Sequence, residues 1–482
     1  MRMPMYLVLG LAPLLGTAGW TQATPPAVPA PAVPAATAPA PAADDDPFLQ
    51  ALIQEAMTRN PDLAQARTLV DADRERVPQA GALPDPSLSL GIQNDGFKKI
   101  EVGQMETSYY QLMVTQGLPW PGKRNLRSQV ADLNARATEA GVERTRLTVV
   151  ADLRRAYTGL LLLRSQSRLL EEQAVFLQQA EATARSRYEV GQASQADLLR
   201  AQLERTRLDQ ARYRLQSDLR TRQGELNRLR GADPDTAIPV QRTLEQVPDP
   251  RPAAADLMTQ AEARSPELRA AHLGTEQAQR GLDLARLDRH PDFSVSAGYM
   301  PRGGLEPMWT ASVGITLPVW QKHKQQRAVA EQEYRQHAST WEVEKLRSLL
   351  EQRMRERSGE LDAALQVLRL YRGGLLVQSE ASFRATLTQY TVGKLPFLSV
   401  LEALNGWVAD QSGLIQAQAQ AQAVQIALDE LNLAPTPGIG APALPASAMG
   451  GAAQGGGSSA AKSAGSPGAA GDASMTSSSS AM

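Results

Sequence analysis

The 482-residue chain contains no cysteine. That excludes disulfides, thiolate metal sites and cysteine nucleophiles together, along with any lipid attached to an N-terminal cysteine. Aromatic residues make up only 5% of the chain. Ala, Gln, Arg, Leu and Glu crowd its middle instead, a composition that suits long helices better than compact cores. No excess of either charge sign is present: 50 Lys and Arg against 51 Asp and Glu leave a net charge of −1, and nothing points to nucleic acid as a partner. There is no phosphate-binding loop, dinucleotide fingerprint or nucleophile elbow. His272, His290, His323 and His337 show no ligand spacing, so neither a metal site nor a cofactor is expected. Acidic pairs such as Glu171-Glu172 lie on helical faces with Arg nearby, an ordinary solvated pattern. No catalytic residue emerges, and the chain does not read as an enzyme. Long hydrophobic runs are also missing. Beyond the N-terminal region nothing reaches the ~18 apolar residues of a transmembrane helix, so membrane contact would have to come from strands.

Residues 1–23 read as a signal peptide. Arg2 supplies the positive start, Tyr6–Leu15 the apolar run, and Thr17-Ala18-Gly19 or Thr21-Gln22-Ala23 a small-residue cleavage region. The run is short for a membrane anchor and contains Pro13. Residues 24–47 form a Pro/Ala-rich linker, extended and without a core. Residues 435–482 form a Gly/Ala/Ser-rich tail that is disordered by composition.

Between these ends the chain is organised as a tandem repeat, 48–252 and 253–434. Its clearest mark is Tyr188-x-Val190-Gly191, which recurs as Tyr390-x-Val392-Gly393. Each copy interrupts a long helical pattern, and glycine past a helix end accepts the left-handed conformation of a turn between antiparallel helices. Other landmarks repeat at nearly the same interval: Pro61-Asp62-Leu63 with Pro266-Glu267-Leu268, Leu118-Pro119 with Leu317-Pro318, and Leu226 and Leu229 with Leu428 and Leu431. Long helices are expected over 121–188 and 194–231 in the first repeat, and over 321–388 and 396–432 in the second. Pro121 suits a first helical turn. At 1.5 Å per residue, 121–188 would span roughly 100 Å. Leu170, Ala174, Leu177, Ala184 and Tyr188 give it a modest coiled-coil seam. A Pro-rich link lies at 234–252. Gly373-Gly374, inside the second long helix, is either a soft point for opening the turn region or a local weakness without a role.

Each repeat also changes period. Strands are expected at about 86–93, 109–118, 292–300 and 309–318, with Leu88, Leu90, Ile92, Val295 and Val313 alternating with small or polar residues. A small sheet packed on a helix is one explanation. Two features weigh against it. The opposite face is almost all Ser, Thr, Gly and Gln. Tyr109, Tyr110, Trp120, Tyr299, Trp309 and Trp320 gather at the strand ends, as in the aromatic girdles of outer-membrane barrels. Four strands cannot close around a lumen, and open edges are not tolerated in hydrocarbon, so several chains would have to share one barrel.

These residues resemble the TolC family of outer-membrane efflux ducts. The resemblance covers about 48–434 and rests on the repeat, the strand pairs, the long helices and both Tyr-x-Val-Gly turns. It implies a mainly α protomer with transmembrane β: four strands given to a trimeric 12-stranded outer-membrane barrel, continued by a periplasmic α-helical coiled-coil tunnel. It implies an efflux exit duct in a Gram-negative outer membrane, working as a homotrimer in lipid with a periplasmic adaptor (a membrane fusion protein) and an inner-membrane pump of the RND type. The turns would be the periplasmic tip, and acidic residues there would line an entrance constriction. Asp197 matches the family aspartate six residues past the first glycine. In the second copy, family acids six and nine residues past the glycine fall on Ser399 and Glu402, and Leu395 stands where the family has a gating arginine. Gln116–Lys123 resembles strand-to-helix segments of relatives tied to heavy-metal pumps, so metal cations or small toxic compounds are the expected cargo. The alternative reading is a periplasmic coiled-coil scaffold or adaptor without a pore.

Overall fold

The computed structural model describes residues 46–240, 242–253 and 256–435. The expected signal peptide, the linker up to residue 45 and the tail from residue 436 lie outside them. Helices α1 (Pro47–Arg59) and α2 (Pro61–Gly81) lead to strands β1 (Ser87–Gln93) and β2 (Tyr109–Leu118), then to α3 (Lys123–Glu189) and α4 (Gln195–Leu229). The order then repeats: α5 (Leu257–Arg264), α6 (Pro266–Leu287), β3 (Asp292–Arg302), β4 (Leu305–Thr316), α7 (Gln325–Leu370), α8 (Leu376–Thr391) and α9 (Phe397–Glu430).

The break between α1 and α2 shows how sequence sets a boundary. Pro61 removes Asn60 from helical geometry, and Asn60 ends one helix and begins the next. Its Oδ1 accepts the backbone N–H of Asp62 at 2.9 Å and of Leu63 at 3.1 Å, and its Nδ2 donates to Leu229 O at 2.8 Å. In the second repeat Ser265, before Pro266, does the same for α6 by accepting the Leu268 N–H at 3.3 Å.

Several expected boundaries move. Helix α3 begins at Lys123 rather than 121, because Gly122 turns left-handed (φ +94°) and holds Pro121 in the preceding turn. Helix α7 begins at Gln325 rather than 321, after a non-helical turn over 317–324. Strand β4 begins at Leu305 and ends at Thr316, not 309–318, since Gly303-Gly304 makes a tight hairpin that pairs Arg302 with Leu305. Between α7 and α8 the chain forms one π-helical turn, Tyr371–Leu375, which contains Gly373 and Gly374. Arg372 in that turn is held by the Asp249 carboxylate.

The four strands form one antiparallel sheet in the order β1-β2-β3-β4. The helices pack as a layered bundle in which α3 touches α2, α4, α6 and α9. Its core is aliphatic, with Leu153, Leu160 and Leu226 fully enclosed. The 234–252 link is part of this core: Ile238, Val240, Leu244 and Val247 are buried, and Gln418 and Gln422 of α9 donate to Val247 O and Pro248 O at 2.9 and 2.8 Å. Two buried charges fix the end of α9. Arg357 donates to Ala427 O at 2.9 Å, in the last turn of α9, and to Ala434 O at 2.7 Å, beyond it, and burial lowers its pKa. Glu430 is enclosed between Arg144, at 3.2 Å, and Arg155.

Asp46 anchors the start of α1. It accepts the Phe48 N–H at 3.0 Å, the Tyr157 hydroxyl at 2.6 Å and Arg242 Nη1 at 3.2 Å. Burial pushes its pKa up, but these donors outweigh it and hold the carboxyl below its ordinary value of 3.8. Burial, then the Asp46 carboxylate, push the Tyr157 hydroxyl upward. A lowered folded-state pKa means the cluster stabilises fully above the unfolded value and stops doing so as pH falls through the folded one. Asp46→Asn keeps an N-cap acceptor but not the charge. It should cost about 1–2 kcal/mol at pH 7, and the gap from the native chain should narrow below pH 3.8. Denaturant titration by circular dichroism in detergent at both pH values measures this, and a pH-independent gap would refute it.

Candidate functional site

The two Tyr-x-Val-Gly segments fold as predicted helix ends with matching geometry. Gly191 takes φ +74° and Gly393 φ +81°, where a Cβ would be strained. In the first turn, Gln192 N–H donates to Arg187 O at 2.7 Å and Gly191 N–H to Tyr188 O at 3.0 Å. In the second, Lys394 N–H donates to Gln389 O at 2.9 Å and Gly393 N–H to Tyr390 O at 2.9 Å. These bonds close carbonyls that the helix end leaves open. The next helices start differently. Ser194 caps α4 by accepting the Asp197 N–H at 3.2 Å, whereas Pro396 precedes α9 without a side-chain cap.

The turns also differ in burial. Tyr188 is 43% exposed and Tyr390 only 2%. Tyr390 packs on Phe397 at 5.6 Å. Arg187 reaches across from the first turn, with its guanidinium 5.0 Å from the centre of the Tyr390 ring and Nη1 donating to Tyr390 O at 2.7 Å. Burial pushes the Tyr390 hydroxyl up; Arg187 opposes this and Asp197 adds to it. Farther from the turns, Phe176, Phe383 and Trp407 join α3, α8 and α9, with ring centres 5.3–5.8 Å apart.

Asp197 sits half-buried in the first turn of α4, 3.7 Å from Arg200. Ser399 is half-buried and Glu402 exposed on α9. Within the described residues of one protomer, no hydrogen bond or ion pair joins Asp197 to either of them. Val190 and Val392 are both 65% exposed at the turn apices.

The sheet presents an uncovered apolar face. Leu88 pairs with Val114 and Leu90 with Leu112, then Leu112 with Tyr299 and Tyr299 with Trp309. Leu90, Val313 and Trp309 are 76, 71 and 80% exposed. Ser89, Ser296 and Ser312 point to the other side. Of the expected girdle residues, Tyr110, Tyr299 and Trp309 lie on the apolar face towards the hairpin loops. Trp120 and Trp320 follow the strands at the helical end, Trp120 stacked on His290 at 4.9 Å and Trp320 exposed. Tyr109 is on the polar face, where its hydroxyl donates to Gln93 at 2.8 Å; strand alternation separates it from Tyr110.

Residues 52–232 and 257–432, one segment in each repeat, match the family described as outer membrane efflux protein. The chain belongs to that family. Its fold is also that of solved outer-membrane efflux channels. The outer membrane protein VceC of Vibrio cholerae matches with a TM-score of 0.66 at 17% identity, over 79% of this chain and 94% of that one. The open-state MtrE outer membrane channel of Neisseria gonorrhoeae matches with 0.67 at 17%, over 80% and 89%. CusC matches with 0.64 at 18%, over 80% and 91%. No curated protein matches the chain. The family is one of outer-membrane channels and not of enzymes.

Sequence reasoning gave Arg187 no role, although it adjoins the first Tyr-x-Val-Gly. The available hint is that the second copy has Gln389 in its place, so only the first turn carries a cation just before its Tyr. In this efflux protein Arg187 ties the two turns together. Arg187→Ala should speed hydrogen exchange at the Gly393 and Lys394 amides about tenfold, the loss expected for one charge-assisted hydrogen bond. Arg187→Lys should recover only part of the protection. Unchanged exchange in the alanine variant would remove the clasp.

Proposed function

We propose that the chain is the passive exit duct of a tripartite efflux system, built as a homotrimer in the outer membrane of a Gram-negative cell. One observation carries the reading. The sheet has a largely exposed apolar face and, among the described residues, two unpaired edge strands, and it is joined directly to helices as long as the 67-residue α3. Lipid suits that face but cannot satisfy the edges. Three copies placed edge to edge remove every edge and give a 12-stranded barrel with Ser, Thr and Gly on its water side. The helices continue the wall as a periplasmic tunnel, at about 1.5 Å per residue roughly 100 Å for α3. Exposed apolar residues on α4 (Leu199, Leu203, Tyr213) and along α7–α8 (Leu370, Val377) support further contacts between copies.

The tip turns, Tyr188-x-Val190-Gly191 and Tyr390-x-Val392-Gly393, form the periplasmic end that meets a membrane fusion protein and an RND-type inner-membrane pump. Asp197, Ser399 and Glu402 line the entrance, and heavy-metal cations or small toxic compounds pass through it. Tyr110, Trp120, Tyr299, Trp309 and Trp320 mark the two lipid interfaces. A scaffold without a pore leaves the apolar sheet face without an occupant.

Fractionation followed by gel electrophoresis without boiling tests the assembly. The protein should be found in outer membranes as a heat-dissociable trimer, and recovery as a soluble monomer from periplasm would overturn the duct. A ring of three Glu402 carboxylates concentrates cations at the entrance. Glu402→Ala should therefore raise the divalent-cation concentration for half-block of single-channel current about tenfold. Unchanged block would take Glu402 out of the constriction.

A further inference from the structure

The duplicated junction between strand and helix is closed in one copy and open in the other. In the closed copy, Lys123 is 2% exposed. Its Nζ lies 2.9 Å from Asp292 Oδ1 and 3.3 Å from Asp288 Oδ1, and donates to His290 O at 3.2 Å. Asp292 also accepts the Trp120 backbone N–H at 2.8 Å, and Trp120 stacks on His290. These contacts fasten the turn after β2 to the link before β3. They continue a strand pairing that runs from Leu112 opposite Tyr299 to Leu118 opposite Phe293.

The chain contains both halves of this junction a second time. Residues 291–298 read Pro-Asp-x-Ser-x-Ser-x-Gly, and so do residues 84–91. Residues 118–123 read Leu-Pro-x-x-x-Lys, and so do residues 317–322. Asp85 therefore corresponds to Asp292 and Lys322 to Lys123. The second pair of halves cannot meet within one protomer, because β1 and β4 are the opposite edges of the sheet. Both Asp85 and Lys322 are exposed, and among the described residues neither has a hydrogen-bond or ion-pair partner. The apolar side chains beside Lys322 are equally uncovered, Leu317 at 64%, Val319 at 70% and Trp320 at 72%. In the closed copy the corresponding turn is half-buried or better from Leu118 to Trp120.

We propose that the turn after β4 docks on the link before β1 of a second copy of this chain, pairing Lys322 with the partner subunit's Asp85. The inference rests on the trimeric duct proposed above and specifies its seam. Carrying over the β2–β3 register sets Leu317 opposite the partner's Pro86, Ile315 opposite the partner's Leu88, and Val313 opposite the partner's Leu90. Every one of these pairs keeps its apolar residues on the same face, as a continuous sheet requires. The seam ion pair lies at the strand-to-helix border, where the closed copy places Lys123. Removing one partner leaves the other charge against an apolar surround, so each should be sensitive to loss of the other.

The absence of cysteine makes the test clean. The variant Ile315→Cys/Leu88→Cys, treated in outer membranes with a membrane-permeant oxidant, should yield a trimer that survives boiling without reductant, while each single variant yields monomer. Lys322→Asp should lower by several degrees the temperature at which the unboiled trimer dissociates. Asp85→Lys/Lys322→Asp should restore most of that loss. If the native chain forms a trimer but the double-cysteine variant is not captured, the register is wrong. If capture occurs without rescue by the charge exchange, the ion pair is wrong. A native chain that runs as a monomer unboiled would instead overturn the trimeric duct itself. Lys322→Gln provides a milder variant should the reversal prevent assembly, and an unchanged dissociation temperature in it also counts against the pair.

Discussion

Strands β1 and β4 each carry a row of backbone donors and acceptors that nothing among the described residues satisfies, on a sheet whose apolar face is uncovered by them. In water such edges are hydrated, and the problem is only adhesion. In hydrocarbon each unsatisfied group costs several kcal/mol, because no solvent takes the missing partner's place. The same element thus calls for lipid against its face and forbids lipid at its edges. Other strands of the same kind resolve the conflict, and a ring of them leaves the Ser, Thr and Gly side facing water. The proposed assembly follows from that single requirement on backbone hydrogen bonding.

The helical part faces a different requirement. A wall made from single long helices has little interior, so its buried groups must hold several helices in register at once. Arg357 and Glu430 do this at the end of α9 by binding carbonyls and arginines from distant parts of the chain. Buried ions of this kind give little net stability, but leaving one unpaired is costly, so they disfavour shifted registers. The 234–252 link contributes in the same way by placing its apolar side chains against α3 and α9. The π-helical turn puts Arg372 beside Asp249 of the same link. The extra residue in such a turn lets α7 and α8 keep different helical phases above and below it.

Much of this fold was legible because its signals are local. Period-2 alternation marked all four strands, and glycine past a helix end marked both Tyr-x-Val-Gly turns. The errors also have local causes. Pro121 resembles a first helical residue, but the left-handed Gly122 delays the helix to Lys123. Pro301 and Pro307 look like the loop between β3 and β4. They lie within the strands because β4 is an edge, and because Pro301 falls at a register irregularity between Met300 and Arg302. Long-range partners were not legible. Arg187 meets Tyr390 across 203 residues and Arg144 meets Glu430 across 286, and no periodicity encodes such a meeting. Gly373-Gly374 suggested weakness but could not reveal a π-helical spacing, which depends on what packs on either side.

The two repeats have diverged unevenly, and the pattern has a physical reading. At the strand-to-helix junctions both copies keep the same residue types, Pro-Asp before the strand and Leu-Pro with Lys after it, although one junction closes within the protomer. A closed ring makes the contacts between repeats alternate between one chain and the next, so both kinds of junction meet the same geometric demand. At the two Tyr-x-Val-Gly turns the ring would make no such demand. One turn is capped by Ser194 and leaves Tyr188 exposed; the other starts from Pro396 and buries Tyr390 under Arg187. The proposed ring would hold both strand-to-helix junctions of the protomer to one geometry. The turns answer to no such requirement, and Arg187, Ser194 and Pro396 make the two copies unequal in burial and in capping.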